Sequence, residues 1–337
     1  MDSKSSDDQN VSQDISSDHS VSFHYQIISL ADIDTEDLTF RITTGSDIDD
    51  LMVSIQNIGL IQPPVLRANS SGYTIVCGFR RIAACRKLGW THITARVLEK
   101  SADRFKTAQL SIADNSLQRS LNLVEASRAL KLLEDFGPDP QLRREAAEAL
   151  GLPISRSAAP AIKKICRLPL SVQKGILKET INLSMALELG GLDPATAEDL
   201  VQLFDQLKVG LNKQRELLLL LKEIAEREDT AIPQLIAEKP LQEILKTAEM
   251  DRAVKRQKVR SYLRRRRFPA ITKAETEYFK WLKQLKLGQN INLTPPKDFE
   301  GSTFSMTLRF NNRQDLSDLN KRLEKIIQNP ALGKILD

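Results

Sequence analysis

A chain of 337 residues, 41% hydrophobic and 28% charged, exceeds what one hydrophobic core usually serves, so two or three domains are expected. No apolar run approaches the ~20 residues of a membrane-spanning helix, which argues against a membrane partner. The net charge of +5 is unevenly spread, with acid-rich Met1–Ser22 and Asp32–Asp50 set against the basic run Asp251–Phe268.

Met1–Ser22 is rich in Ser and Asp and lacks an apolar stretch, so it reads as a disordered acidic tail and not as a signal peptide. Cys77, Cys85 and Cys166 make no Cys-x-x-Cys pair, and His92 stands at no ligand spacing. Buried thiols in a reducing cytoplasm are the expectation.

Ordered structure is expected from Phe23. Ser46-Asp-Ile-Asp49 reads as a capping box before a helix carrying Leu51, Met52, Ile55 and Ile58 and ending at Gly59. Pro63-Pro64 leads into a strand at Val65–Leu66, and Ser70-Ser-Gly72 turns the chain into a second strand, Tyr73–Val76. A helix follows Gly78 and stops at Gly89, and Ile93–Leu98 is a third strand. From Leu121 the pattern is helical. Asn122-Leu-Val-Glu125 caps a helix running to Gly137. Asp139-Pro140 opens another, which ends at Gly151, and a helix of roughly Ser157–Cys166 precedes Leu168-Pro169. Two short helices around a glycine turn outline a helix-turn-helix, although any helical bundle gives similar spacing. Further helices are expected near Leu170–Glu179, Pro194–Lys208 and Asn212–Arg227. At the C-terminal end, Lys273–Leu287 is a helix, Thr303–Phe310 a half-buried lone strand and Gln314–Gln328 an amphipathic helix. A strand with an open edge seeks a partner, which suggests self-association.

The fold class expected is multidomain α+β, in five parts. These are a tail (1–22), a small α/β domain (23–118), an all-α helix-turn-helix domain (119–210), a helical basic connector (211–268) and a small α/β dimerisation domain (269–337).

Chemistry concentrates in two places. A strand enters Gly78, and Arg80 and Arg81 open the next helix. Free N–H groups and guanidinium groups there suit a phosphate, and the same residues also suit a tight turn with surface arginines. The run Asp251–Phe268 attracts a polyanion or forms a solvated helix face.

Gly78-Phe-Arg-Arg-Ile-Ala83 resembles the Gly-Glu-Arg-Arg-x-Arg-Ala box of the ParB family of DNA-partition proteins, with Phe79 in place of the glutamate. Gly59-Leu-Ile-Gln-Pro63 is similar to the segment before that box. Asp114-Asn-Ser-Leu-Gln-Arg119 with Leu121–Glu125 resembles the family's interdomain stretch. Glu148–Gly151, Ser155-Arg156 and Arg167-Leu-Pro169 resemble its helix-turn-helix, and the order holds over about residues 25–205. The resemblance implies a ParB/sulfiredoxin-like N-terminal domain binding CTP with magnesium, closing as a clamp on double-stranded DNA as a homodimer. A ParA-like ATPase is a further partner it implies.

Residue by residue, Gly78, Phe79, Arg80, Arg81 and Asn115 would contact nucleotide, and Asp114 and Asn115 the metal. Arg156, Lys163, Lys164 and Arg167 would read DNA, and Arg264, Arg265, Arg266 and Arg267 would add sequence-independent affinity. The expected role is plasmid or chromosome partition by a cytoplasmic, nucleoid-associated protein with at most weak CTP hydrolysis. A KorB-like transcriptional regulator is the neighbouring alternative. An enzyme of the sulfiredoxin or nuclease-like fold is the distant one, because Cys77 precedes Gly78, no histidine follows, and Asp114 is the only candidate carboxylate in this region.

Overall fold

The computed structural model describes residues 22–153, 155 and 158–336, so the acidic tail, Ser22 apart, lies outside the described residues. They form two compact units. One reaches Glu179 and includes Ala186–Gly190, and the other comprises Thr180–Met185 and the chain from Gly191.

The first unit opens with β1 (His24–Ser29), β2 (Ile33–Asp34), α1 (Asp49–Ile58), β3 (Val65–Ala68), β4 (Tyr73–Cys77), α2 (Phe79–Lys87) and β5 (His92–Leu98). The five strands form one mixed sheet in the order β1-β5-β3-β4-β2. Central β3 runs parallel to β5 and antiparallel to β4, which sets Leu66 between Val97 and Ile75. These side chains, with Ile82 and Cys85 of α2 and Ile55 of α1, build a continuous apolar core.

The expected capping box at Ser46 is not how α1 begins. The helix starts at Asp49, and the carboxylate of Asp47 accepts the Asp49 N–H at 3.1 Å, so a two-residue Asx turn supplants the three-residue box. Gly59 ends α1 as expected, at φ 90°.

α3 (Arg104–Ser116) was not expected, because its sequence carries little apolar periodicity. It is capped by Asp103, whose carboxylate accepts the Lys106 N–H at 2.7 Å, and it buries Thr107, Ala108, Ser111 and Ile112.

α4 (Leu123–Phe136) carries the reciprocal Asn122–Glu125 capping box that its sequence announces. Around it pack α5 (Pro140–Ala149), α6 (Ala159–Lys164) and α7 (Leu170–Leu177). Pro160 at the start of α6 and a 3₁₀ turn at Ile165–Arg167 confine that helix to fewer residues than the expected Ser157–Cys166. α8 (Leu183–Leu189) runs across the division between the units.

The second unit continues with α9 (Pro194–Leu207), α10 (Leu211–Glu228), α11 (Ile232–Ala237), α12 (Lys239–Lys246) and α13 (Arg252–Arg267). It ends with α14 (Pro269–Leu285), β6 (Ile291–Thr294), β7 (Ser305–Leu308), α15 (Arg313–Ile327) and α16 (Pro330–Leu336). The strand expected to stand alone has a partner in its own chain, since β7 pairs antiparallel with β6, Met306 opposite Leu293. The C-terminal part is thus a β-hairpin plus helices, packed on Tyr278, Leu285, Ile291, Leu319 and Ile326. No helix among the described residues is long and apolar enough to cross a membrane.

Candidate functional site

A pocket of about 450 Å³, within the 300–1,000 Å³ usual for small ligands, opens where β4 passes into α2. Gly78, Phe79, Arg80 and Arg81 line it with Asp114, Asn115, Gln118 and Arg119. The expected nucleotide and metal residues therefore share one cavity, although they come from separate segments. Gly78 sits in the left-handed region at φ 93° as the N-cap of α2, and a Cβ there would lie 2.9 Å from Pro64 Cβ. Only glycine suits this turn. It brings the first N–H groups of the nine-residue α2 to the pocket, where they suit an anion.

The two arginines are already tied down. Arg80 donates through Nε to the Asp47 carbonyl at 2.8 Å. Arg81 donates to the Gln62 carbonyl at 2.9 Å and approaches Asp114 Oδ2 at 3.4 Å, with both side chains largely shielded. Phe79 packs on the apolar core, and the Arg41 guanidinium lies 6.0 Å from its ring centroid.

Asn115 donates its amide to the Ser111 carbonyl at 2.9 Å, leaving its amide oxygen as the acceptor end. One carboxylate and one amide oxygen fit a magnesium ion carried in on phosphate oxygens. No group of three metal-ligating side chains occurs among the described residues, so this donor set does not fit a metal held by protein alone. Burial, with the Asp114 charge, pushes the Cys77 thiol up, so it has no thiolate character to offer near neutral pH.

Sequence reasoning missed Glu125 as a site residue, reading it as half of a cap and as part of the interdomain stretch. It is fully buried and accepts both terminal nitrogens of pocket-lining Arg119 at 2.7 Å. It also accepts the Thr44 N–H at 3.0 Å and the Asn122 N–H at 3.2 Å. Burial alone would raise its pKa, but the Arg119 hydrogen bonds and these backbone donors outweigh burial and hold it at about 2.

Further along the chain, α5 ends at Gly151, φ 67°, and Leu152 folds back to donate to the Ala147 carbonyl, a Schellman-type turn leading toward α6. Buried Ser127 of α4 holds the end of α6, its hydroxyl accepting the Cys166 N–H at 2.9 Å and donating to the Lys163 carbonyl at 3.3 Å. Lys164 and Arg167 are exposed, Lys163 reaches Glu134 at 3.4 Å, and Arg156 lies outside the described residues.

The basic run forms α13, and much of its charge is neutralised within the second unit. Arg260 meets Glu216 at 2.5 Å, Arg267 meets Glu223 at 2.6 Å, and Arg266 is shared between Glu228 and Glu238. Arg264 lies 3.7 Å from Glu275, whereas Arg265 is exposed to solvent.

The model of the ParB N-terminal domain matches residues 13–116. The chain carries the N-terminal domain of the ParB family. The nucleoid occlusion protein of Geobacillus kaustophilus (strain HTA426) is 32% identical over 138 residues, which cover 40% of this chain and 46% of that protein. The chain thus spans under half the length of that relative. Two structures of C-terminally truncated ParB from Caulobacter crescentus are also similar. The one complexed with CTP-γ-S is 22% identical, covering 54% of this chain and 98% of that one at a TM-score of 0.24. The one complexed to the centromeric parS site is 20% identical, covering 52% and 91% at 0.30. The ParB resemblance carried by Gly78–Ala83 and Gly59–Pro63 falls inside the matched domain.

Proposed function

We propose that this ParB-family chain binds CTP with magnesium in the Gly78–Arg81 pocket and binds duplex DNA through α5 and α6, in a partition or nucleoid occlusion role. The observation that carries the reading is the convergence of Gly78, Arg80, Arg81, Asp114, Asn115 and Arg119 on one cavity of nucleotide size. Phosphate oxygens would meet the α2 N–H groups and the guanidinium of Arg80. Asp114 and Asn115 would hold the metal, which supplies charge neutralisation for the triphosphate. Phe79 offers no carboxylate beside the phosphates, so turnover is expected to be slow.

Lys163 and Lys164 at the end of α6, with Arg167 just after it and Arg156 before it, would supply donors for phosphates and base edges. Of Arg264 to Arg267 on α13 it is the exposed Arg265 that stands ready to add salt-sensitive affinity. The C-terminal hairpin unit serves as the homodimer interface, supported by solvent-exposed Phe310 and Ile327. A KorB-like regulator uses the same chemistry, and a ParA-like ATPase would be the partner that separates the two roles. Genome-wide sequencing of DNA recovered with the protein tests the DNA reading: clustered sites support it, and recovery no better than background rejects it.

A further inference from the structure

The first unit holds a second and larger pocket, of about 780 Å³, reached from the same stretch of chain. Along Thr39–Thr44 the side chains divide: Phe40 and Ile42 line the Gly78 pocket, whereas Thr39, Arg41 and Thr44 line this one. Its charge is one-sided, with Arg41, Arg104, Arg128 and Lys131 present against a single carboxylate, Asp135.

Among the described residues no carboxylate forms an ion pair with Arg41, Arg104 or Arg128. Asp135 is taken by Lys131 at 2.5 Å, Glu125 by Arg119, and Asp37 by the Thr39 N–H and the Thr74 hydroxyl. Arg128 donates to the carbonyls of Ile42 and Thr43 at 3.2 and 3.0 Å, and Arg104 stacks on Phe136 at 4.4 Å. The Nε of Arg41 is buried with no hydrogen-bond partner. Burial first and the neighbouring Arg41 charge second make Arg128 a weaker base than usual, against a smaller opposing effect of Glu125. Two guanidinium groups therefore press on one cavity, a cost that an anion between them would offset.

We infer that this pocket binds a small multivalent phosphate anion through Arg41, Arg104 and Arg128. Planar guanidinium forks suit phosphate oxygens bidentately, and Leu132 and Phe136 give the cavity an apolar wall beside them. Cys166 and Gln173, which also line the pocket, follow α6 in the chain, so an occupant would brace the DNA-facing helices against Thr39–Thr44.

The test is calorimetry of the full chain with inorganic tripolyphosphate, using variants that separate the two pockets. Gly78→Ala disables the first pocket, and Arg80→Ala replaces it should that variant not fold. Tripolyphosphate is expected to bind Gly78→Ala at one site, and Arg80→Ala at that same site with the first pocket's contribution weakened about tenfold or more. Adding Arg41→Gln or Arg104→Ser should weaken that site about tenfold or more, roughly one charge-assisted contact. Arg104→Ser alone should leave CTP binding unchanged, so failure of either pocket is read separately. Absence of binding in the folded first-pocket variant, or binding that Arg41→Gln and Arg104→Ser leave untouched, overturns the inference.

Discussion

Glu125, buried at the third position of α4, receives both terminal nitrogens of Arg119 at 2.7 Å, although Arg119 also lines the candidate nucleotide pocket. One bidentate pair therefore connects the cap of the central helix to the ligand site.

Glu125→Gln should destabilise the first unit by about 2–3 kcal/mol, since the buried acceptor loses its charge while half-exposed Arg119 is left to solvent. The carboxylate is held at about 2, below its unfolded value, so its contribution is present above the unfolded pKa and lost as pH falls through about 2. Thermal unfolding of the wild type should thus show an acid loss of about 3 kcal/mol from this group between roughly pH 5 and 2, and Glu125→Gln should lack that part. An identical acid profile in both proteins would refute the assignment.

Gly78→Ala should cost about 1–3 kcal/mol, from left-handed backbone at φ 93° and the approach of Pro64, and should abolish nucleotide binding. Unfolding midpoints and a nucleotide titration on the same sample check both halves.

Ser127→Ala removes the hydroxyl that accepts the Cys166 N–H and donates to the Lys163 carbonyl. A loss of about 1–2 kcal/mol is expected, with weaker site-specific DNA binding and unchanged nucleotide binding. Titration of labelled duplex beside a nucleotide titration distinguishes this from general damage.

On α13, neighbouring arginines should behave oppositely. Arg265→Ala should leave stability within about 0.5 kcal/mol and reduce the salt slope of DNA binding by about 1. Arg266→Ala leaves Glu228 with Arg227 alone and Glu238 with only the Tyr262 hydroxyl, and should cost about 1 kcal/mol with little change in that slope. Equal salt slopes for Arg265→Ala and wild type would exclude Arg265 as a DNA contact.

The parts legible in the sequence were those set by local rules. Gly59, Gly78 and Asn122–Glu125 punctuate the chain through backbone preference and capping, and each does so in the structure. α3 was not legible because Thr107 and Ser111 occupy buried positions that would mark a helix only if apolar. β6 was hidden by its four-residue length beside Pro295-Pro296. The charge of α13 was plain, but its pairing with Glu216, Glu223, Glu228 and Glu238 is tertiary, set by packing against α10 to α12. The same holds for Glu125, whose bond to Thr44 spans 81 positions.

The central claim is that the Gly78–Arg81 pocket takes CTP with magnesium. Calorimetry with each of the four nucleoside triphosphates and magnesium, on wild type and on Arg80→Ala, tests it directly. The account predicts that CTP binds in preference to the other three and that Arg80→Ala binds it about tenfold or more weakly. A wild type that binds no nucleotide, or an Arg80→Ala protein that binds CTP as tightly as the wild type, contradicts it.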